Sequence, residues 1–138
     1  MTRPTTADCR VIDLPRVDDP RGKLTYIEQS HHVPFAIERV FYIYDVPTGE
    51  SRGAHAHRTL QQMVICLSGS FDVAIDDGRN RSRVHLNRPW QGLYVPPMIW
   101  AAEVNFDPGS FCLVLASQAF DPDDYIRDYE LYLKLVNA

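Results

Sequence analysis

Apolar and polar residues alternate in short runs along most of the chain, which is the period of β-strands. The runs are rich in β-branched and aromatic residues, and clusters of Asp, Pro and Gly separate them at fairly regular intervals. We predict strands at residues 10–14, 23–29, 37–46, 52–58, 61–76 (two strands), 82–87, 92–97, 101–106 and 110–117. Many short strands with this turn chemistry predict an all-β sandwich or barrel.

The last segment of the chain changes to a helical period. Apolar and aromatic residues now recur every three or four positions, on one face of a helix: Tyr125, Tyr129, Tyr132, Leu133 and Val136. Acidic residues stand at its start and a lysine near its end, as the helix dipole favours. We therefore predict a short C-terminal helix over 122–136 that closes one end of the β domain or meets a partner subunit.

Length and composition limit the alternatives. A chain of 138 residues predicts a single domain, 1–138, and a net charge of −4 argues against a general nucleic-acid surface. No apolar run approaches the length of a membrane span, and the N-terminus lacks the apolar stretch of a signal peptide. The three cysteines are widely spaced and predict no disulfide framework. We expect a cytoplasmic protein that is not bound to a membrane.

The candidate chemistry begins with two histidines in one predicted strand. Residues two apart on a strand point to the same side, so His55 and His57 share a face while Ala56 takes the other. The pair either faces solvent or lines a dry pocket inside the β domain. Its surroundings favour the pocket, because the spacing is that of the first cupin motif: Gly49, His55, His57, Gln62 and Gly69.

A second stretch resembles the second cupin motif, with Ala101 at the position of its histidine. Gln62 likewise replaces the usual glutamate of the first motif, so only two of the customary metal ligands remain. A site with three histidines, or with two and a carboxylate, needs at least one more donor. We therefore predict no metal and an acid/base role for the histidines, since imidazole suits proton transfer near neutral pH.

Arginines and aromatic residues indicate the ligand. Twelve of the fourteen cationic residues are arginine, and guanidinium groups suit bidentate recognition of phosphate. Arg52 stands close to the histidine pair and Arg21 lies in a predicted turn. Aromatic side chains such as Tyr44 could stack on a base or a sugar ring. These features predict an anionic, phosphorylated substrate.

Seven stretches in order along the chain resemble the nucleotide-sugar 3,4-ketoisomerases of the cupin superfamily, the WxcM-like family. They are "RGKLTYIE", "PFAIERVFYIYDV", "RGAHAHR", "GSFDVAIDDG", "GLYVPPMIW", "VLAS" and "DYIRDYELY". The resemblance implies a cupin jelly-roll β-barrel and a homodimer with an exchanged N-terminal strand. It also implies an enzyme without metal or cofactor. Its substrate would be dTDP-4-keto-6-deoxy-D-glucose, converted through an enediol to a dTDP-3-keto-6-deoxyhexose for deoxysugar biosynthesis.

The resemblance also implies roles for individual residues. His55 would be the base and His57 its partner, while Arg21, Arg52, Gln62 and Tyr44 would bind the substrate. Ala101 replaces a polar residue of the family, which leaves the configuration at C4 of the product open. Two alternatives remain: a nucleotide-sugar epimerase, and a cupin that binds the nucleotide sugar without catalysis.

Overall fold

A computed structural model describes residues 3–138. The strands are β1 (Arg10–Asp13), β2 (Arg16–Asp19), β3 (Gly22–Thr25), β4 (Arg39–Tyr44), β5 (Arg52–His57), β6 (Gln62–Ser68), β7 (Phe71–Asp76), β8 (Arg81–Leu86), β9 (Gln91–Val95), β10 (Trp100–Val104), β11 (Phe111–Ala116) and β12 (Tyr125–Ile126). The helix α1 spans Tyr129–Val136, and 3₁₀ turns lie at Thr6–Asp8 and Pro122–Asp124.

Two five-stranded antiparallel sheets form the body of the domain. Their strand orders are β1-β9-β6-β11-β4 and β12-β5-β10-β7-β8. The main core joins the inner faces of both sheets, with Phe71, Ile75, Leu93 and Val114 at most 3% exposed. The sheets face each other without closing into a continuous hydrogen-bonded barrel. The predicted all-β cupin jelly roll with a short C-terminal helix is confirmed in this open form.

A separate hairpin stands outside both sheets. Strands β2 and β3 pair only with each other over residues 3–138, and the predicted strand 23–29 is shortened to Gly22–Thr25. Strand β2 is not predicted from the sequence, because "RVDD" has too few apolar positions to show alternation. Val17 and Leu24 on this hairpin are each more than half exposed. A two-stranded ribbon with exposed apolar side chains is marginally stable alone.

The predicted helix over 122–136 was wrong in its first half. Asp121 accepts a hydrogen bond from the Asp123 N–H and begins the 3₁₀ turn Pro122–Asp124, and β12 follows directly. Asp128 then caps α1 by accepting from the N–H groups of Glu130 and Leu131. Aspartate side chains compete for backbone N–H groups and so favour caps over helix interiors. No helical segment within residues 3–138 is long and apolar enough to span a membrane.

The helix covers the outer face of the second sheet. Tyr132 is fully buried there, and its hydroxyl lies 2.9 Å from the carbonyl oxygens of both Asp76 and Met98. Ala56 of β5 and Ile126 of β12 are buried in the same cluster. The C-terminal segment therefore packs on the outer face of β5 and leaves the inner face of β5 uncovered.

We expect Tyr132→Phe to lower the free energy of unfolding by about 1–2 kcal/mol, because it removes the hydroxyl that joins α1 to the carbonyl groups of Asp76 and Met98. Urea denaturation measures the change. Tyr26→Phe is the matched control, since Tyr26 is 44% exposed, and it should change the free energy by less than about 0.5 kcal/mol. Equal stabilities of the two variants would contradict a structural role for this hydroxyl.

Candidate active site

Strand β5 brings the two histidine rings together on its inner face. The ring centroids of His55 and His57 are 4.8 Å apart, with the planes at 83°. Ala56 between them points to the outer face and is completely buried. The expected side-by-side arrangement follows directly from the two-residue period of the strand.

Tyr125 adds a third ring to this pair. Its centroid is 4.8 Å from that of His55 and 4.4 Å from that of His57. Strand β12 pairs with β5 so that Tyr125 lies opposite His57. Tyr125 lies in the segment that the sequence predicts as a helix, so its pattern gives no sign of this contact.

Two guanidinium groups surround the rings. Arg39 donates from Nη2 to the Tyr125 hydroxyl at 3.2 Å, and its Nε is buried without a hydrogen-bond partner. The guanidinium carbon of Arg127 lies 4.2 Å from the centroid of the Tyr125 ring, within the range of a cation–π contact. The site is therefore positively charged close to two imidazoles.

Asp124 lies next to His57 without bonding to it. Its carboxylate accepts hydrogen bonds from the N–H and hydroxyl of Thr59 and from the N–H of Leu60, at 2.8–3.1 Å. The Nδ1 of His57 is 3.5 Å from Asp124 Oδ2, and it is buried without a hydrogen bond. Asp124 therefore acts on His57 through its charge, from a position fixed by the Thr59–Leu60 turn.

The environment keeps both imidazoles uncharged. Burial is the main cause that lowers the pKa of His55 to about 4, and the neighbouring His57, Arg127 and Arg39 contribute to the same shift. Burial also lowers the pKa of His57 to about 4, although the Asp124 charge opposes the shift. Both rings are neutral at pH 7, so each has a lone pair that can accept a proton.

A cavity of about 500 Å³ opens on the inner face of β5. Four residues singled out in the sequence line it: His55, Arg52, Gln62 and Ala101. Gln62 is 8% exposed and His57 is 5% exposed, buried beside His55. The structure thus gathers most of the predicted site around one opening.

Two predicted substrate contacts do not line this cavity. Tyr44 is exposed on the outer face of β4, where its ring stacks on Phe111 at 5.8 Å. Arg21 lies at the tip of the β2–β3 hairpin, 90% exposed, and its guanidinium binds both carboxylate oxygens of Asp19 at 2.9 Å. Their assignment as substrate contacts stays a prediction.

The cavity contains a carboxyl group that the sequence analysis missed. Glu103 lines it and is only 7% exposed. Burial raises the pKa of Glu103 to about 7, although its own backbone N–H and the charge of Arg52 oppose the shift. The available signal was its position two residues after Ala101, which puts both side chains on the same face of β10.

Other arrangements in the described part of the chain are less suited to this chemistry. No three His, Cys, Asp or Glu side chains among residues 3–138 converge as metal ligands would. A larger groove, about 650 Å³, lies on the outer face of the second sheet beside Trp100 and Tyr129. It contains neither histidine, so we place the candidate active site in the smaller cavity.

The jelly roll with a pair of neutral histidines in its opening defines a cupin-type protein suited to proton transfer. The family model described as FdtA, WxcM-like, C-terminal, matches residues 7–137. The chain therefore belongs to the WxcM-like family.

Similar proteins carry a consistent description. The TDP-4-oxo-6-deoxy-alpha-D-glucose-3,4-oxoisomerase of Aneurinibacillus thermoaerophilus is 41% identical over 92% of this chain and 91% of its own. A structure of the 3,4-ketoisomerase QdtA from Thermoanaerobacterium thermosaccharolyticum is 36% identical, with a TM-score of 0.92 over 94% of each chain. That structure is of a histidine-to-asparagine mutant in complex with TDP-4-keto-6-deoxyglucose.

A third similar structure is the TDP-quinovose 3,4-ketoisomerase WlaRB from Campylobacter jejuni. It is 42% identical, with a TM-score of 0.88 over 92% of this chain and 98% of that one. Similarity at this level extends over nearly the whole length of each relative, so it covers the cavity as well as the sheets.

Proposed function

We propose that this chain is a 3,4-ketoisomerase that converts dTDP-4-keto-6-deoxy-D-glucose to the 3-keto sugar. The observation that carries the proposal is His55, an uncharged imidazole at the wall of a cavity edged by arginines. The relatives that are 3,4-ketoisomerases of TDP sugars support the substrate class.

The reaction moves two protons and needs no net oxidation. His55 removes the proton from C3 while the C4 carbonyl oxygen gains one, which gives the enediol. The C3 hydroxyl then loses its proton to form the new carbonyl, and C4 receives a proton. His57, beside His55 and close to Asp124, helps to pass or orient these protons.

The arginines of the cavity can bind the diphosphate and stabilise the negative charge that forms during the reaction. Arg52 and Arg127 line the cavity, and guanidinium groups bind phosphate oxygens in pairs. Negative charge develops on the C4 oxygen as the C3 proton leaves, and nearby cations stabilise it. We assign Arg52 to the diphosphate and Gln62 to the sugar.

Replacing His55 by Asn should reduce turnover by about 10²–10⁴-fold, because it removes the base but keeps a polar side chain of similar size. NMR of the product formed from dTDP-4-keto-6-deoxyglucose measures the rate and the configuration at C4. In deuterium oxide, the wild-type product should carry deuterium at C4.

His85→Asn is the matched control, since His85 lies on β8 and pairs with Asp72 at 2.7 Å, away from the cavity. It should retain near wild-type turnover. Near wild-type activity of the His55 variant would contradict the assignment of the base. Exchange at C3 or C5 with the carbonyl still at C4 would identify an epimerase instead.

The pH profile should show a base that stays deprotonated in acid. A pKa near 4 means that free His55 loses its basic form only below about pH 5. A bound diphosphate brings negative charge near the arginines that lower this pKa, so the pKa rises in the complex. We therefore expect the acid limb of kcat at higher pH than the acid limb of kcat/KM.

Steady-state kinetics between pH 3.5 and 8.5 measure both limbs. Glu103 titrates near neutral pH, so the profile is repeated with Glu103→Gln to remove its ionisation. An acid limb of kcat/KM close to pH 6.5 that persists in this variant would contradict a buried, neutral base.

We also propose a homodimer in which the N-terminal hairpin is exchanged. The β2–β3 hairpin exposes apolar side chains, and β4 is an edge strand whose outward residues Val40, Tyr42 and Tyr44 are all more than half exposed. Unpaired edges and exposed apolar faces favour association with another chain. Placing the hairpin of one copy along β4 of the other would bring Arg21 to the neighbouring cavity.

Mixing two inactive variants tests the exchange. Arg21→Ala and His55→Asn each damage one component of every site, whereas a mixed dimer contains one site with both residues intact. After random subunit exchange, we expect about a quarter of wild-type activity to return. A mixture no more active than its components, or a monomer in solution, would contradict the shared site.

The proposed compartment is the cytoplasm. Cys66 and Cys112 lie opposite each other in the register of β6 and β11, are both buried, and form no disulfide. Reduced thiols so close together suit a reducing compartment.

A further inference from the structure

Glu103 is a nearly buried carboxyl at the wall of the active-site cavity, with no function assigned to it so far. The pairing of β10 with β7 sets its direction, because Ala101 lies opposite Ile75 and Glu103 opposite Val73. Both partners are buried in the core between the sheets. Glu103 therefore points inward, and its remaining exposed surface faces the cavity.

The carboxyl has no bonding partner from another residue. Within residues 3–138, neither a side chain nor another residue's backbone N–H donates a hydrogen bond to it. Arg52 is near enough for its charge to act on Glu103, yet the two form no ion pair. A nearly buried carboxyl favours a hydrogen-bond donor, and the cavity is where a ligand or a water molecule can supply one.

The backbone of β5 makes room for this carboxyl. Gly53 has a φ of +76°, and a Cβ at this position would collide with the Oε2 of Glu103. The Glu103 carboxyl thus lies against β5 at Gly53, which is two residues before His55. The small side chain of Ala101 leaves the space between Glu103 and His55 open on the β10 side.

The chemistry of the substrate decides which part can meet Glu103. A carboxylate repels a diphosphate, so the phosphates belong beside the guanidinium groups of Arg52 and Arg127. The sugar is uncharged and carries hydroxyl groups, each of which can donate a hydrogen bond to a carboxyl oxygen. A hydroxyl donor in the cavity would also give the carboxyl a hydrogen bond that no other residue supplies.

We propose that Glu103 is a further substrate-contacting residue, whose carboxyl accepts a hydrogen bond from a hydroxyl group of the hexose. The inference rests on the proposed function for the identity of the ligand. It predicts that Glu103 contributes to recognition of the sugar and contributes nothing to recognition of the nucleotide diphosphate.

Calorimetric titration with two probes, TDP and the unreactive TDP-glucose, tests the contact. At pH 8.5, where Glu103 is mostly ionised, Glu103→Leu and Glu103→Ala remove the acceptor and should weaken TDP-glucose binding by about 10- to 100-fold, the loss typical of a hydrogen bond to a charged group. Glu103→Gln keeps a carbonyl acceptor and should bind TDP-glucose within about fivefold of wild type. All three variants should bind TDP at least as tightly as wild type, because none loses a contact with the diphosphate.

Glu130→Gln is the matched control, because Glu130 is an exposed acid on α1, outside the cavity. It should leave both affinities unchanged. Using both Leu and Ala guards against one variant failing to fold, which thermal unfolding reveals. In turnover assays, the loss in the Leu and Ala variants should appear as a raised KM that Gln restores.

Unchanged TDP-glucose affinity in the folded Leu or Ala variant would overturn the proposal. Equal losses for TDP and TDP-glucose would overturn it too, since they would indicate a structural role. A wild-type protein that binds TDP-glucose through Glu103 but does not isomerise the keto sugar would refute the proposed function and leave the contact standing.

Discussion

The pairing of β5 with β10 on one side and β12 on the other is the constraint on which the site depends. It sets Ala101 opposite His55 and Tyr125 opposite His57, so strands distant in sequence meet at one wall. A slip of one residue would turn both histidines to the outer face. Ala56 opposes such a slip, because its own face is closed by Ile126 and the C-terminal helix. Packing on the outer face of β5 therefore fixes the positions of the histidines on its inner face.

The same burial that prepares the histidines also weakens the fold in acid. Their folded-state pKa of about 4 lies below the ordinary value near 6.5, so unfolded histidines bind protons first as the pH falls. The stabilising effect is complete above about pH 6.5 and declines as the pH falls towards 4. The burial and the neighbouring Arg39 and Arg127 that keep the imidazoles neutral for catalysis therefore also lower the free energy of unfolding in acid.

Much of the fold and part of the site could be predicted from sequence because the signals were local. Strand alternation, the two-residue spacing of His55 and His57, and the cupin spacing around Gln62 depend only on neighbours in the chain. The contacts of Tyr125 could not be predicted, since its spacing suits a helix. The caps at Asp121 and Asp128 divide this segment into a 3₁₀ turn and a helix, and Tyr125 lies in the short strand between them. Glu103 was missed because one acid in an apolar strand does not show which face is buried.

The glycine at position 53 has a consequence for how this sequence can vary. The left-handed φ there already disfavours other residues, and the carboxyl of Glu103 occupies the volume that a Cβ would need. A smaller residue at 103 would remove the collision with a Cβ at 53, but the left-handed φ would still disfavour other residues there. Positions 53 and 103, fifty residues apart in sequence and on neighbouring strands, should therefore accept substitutions as a pair more readily than singly.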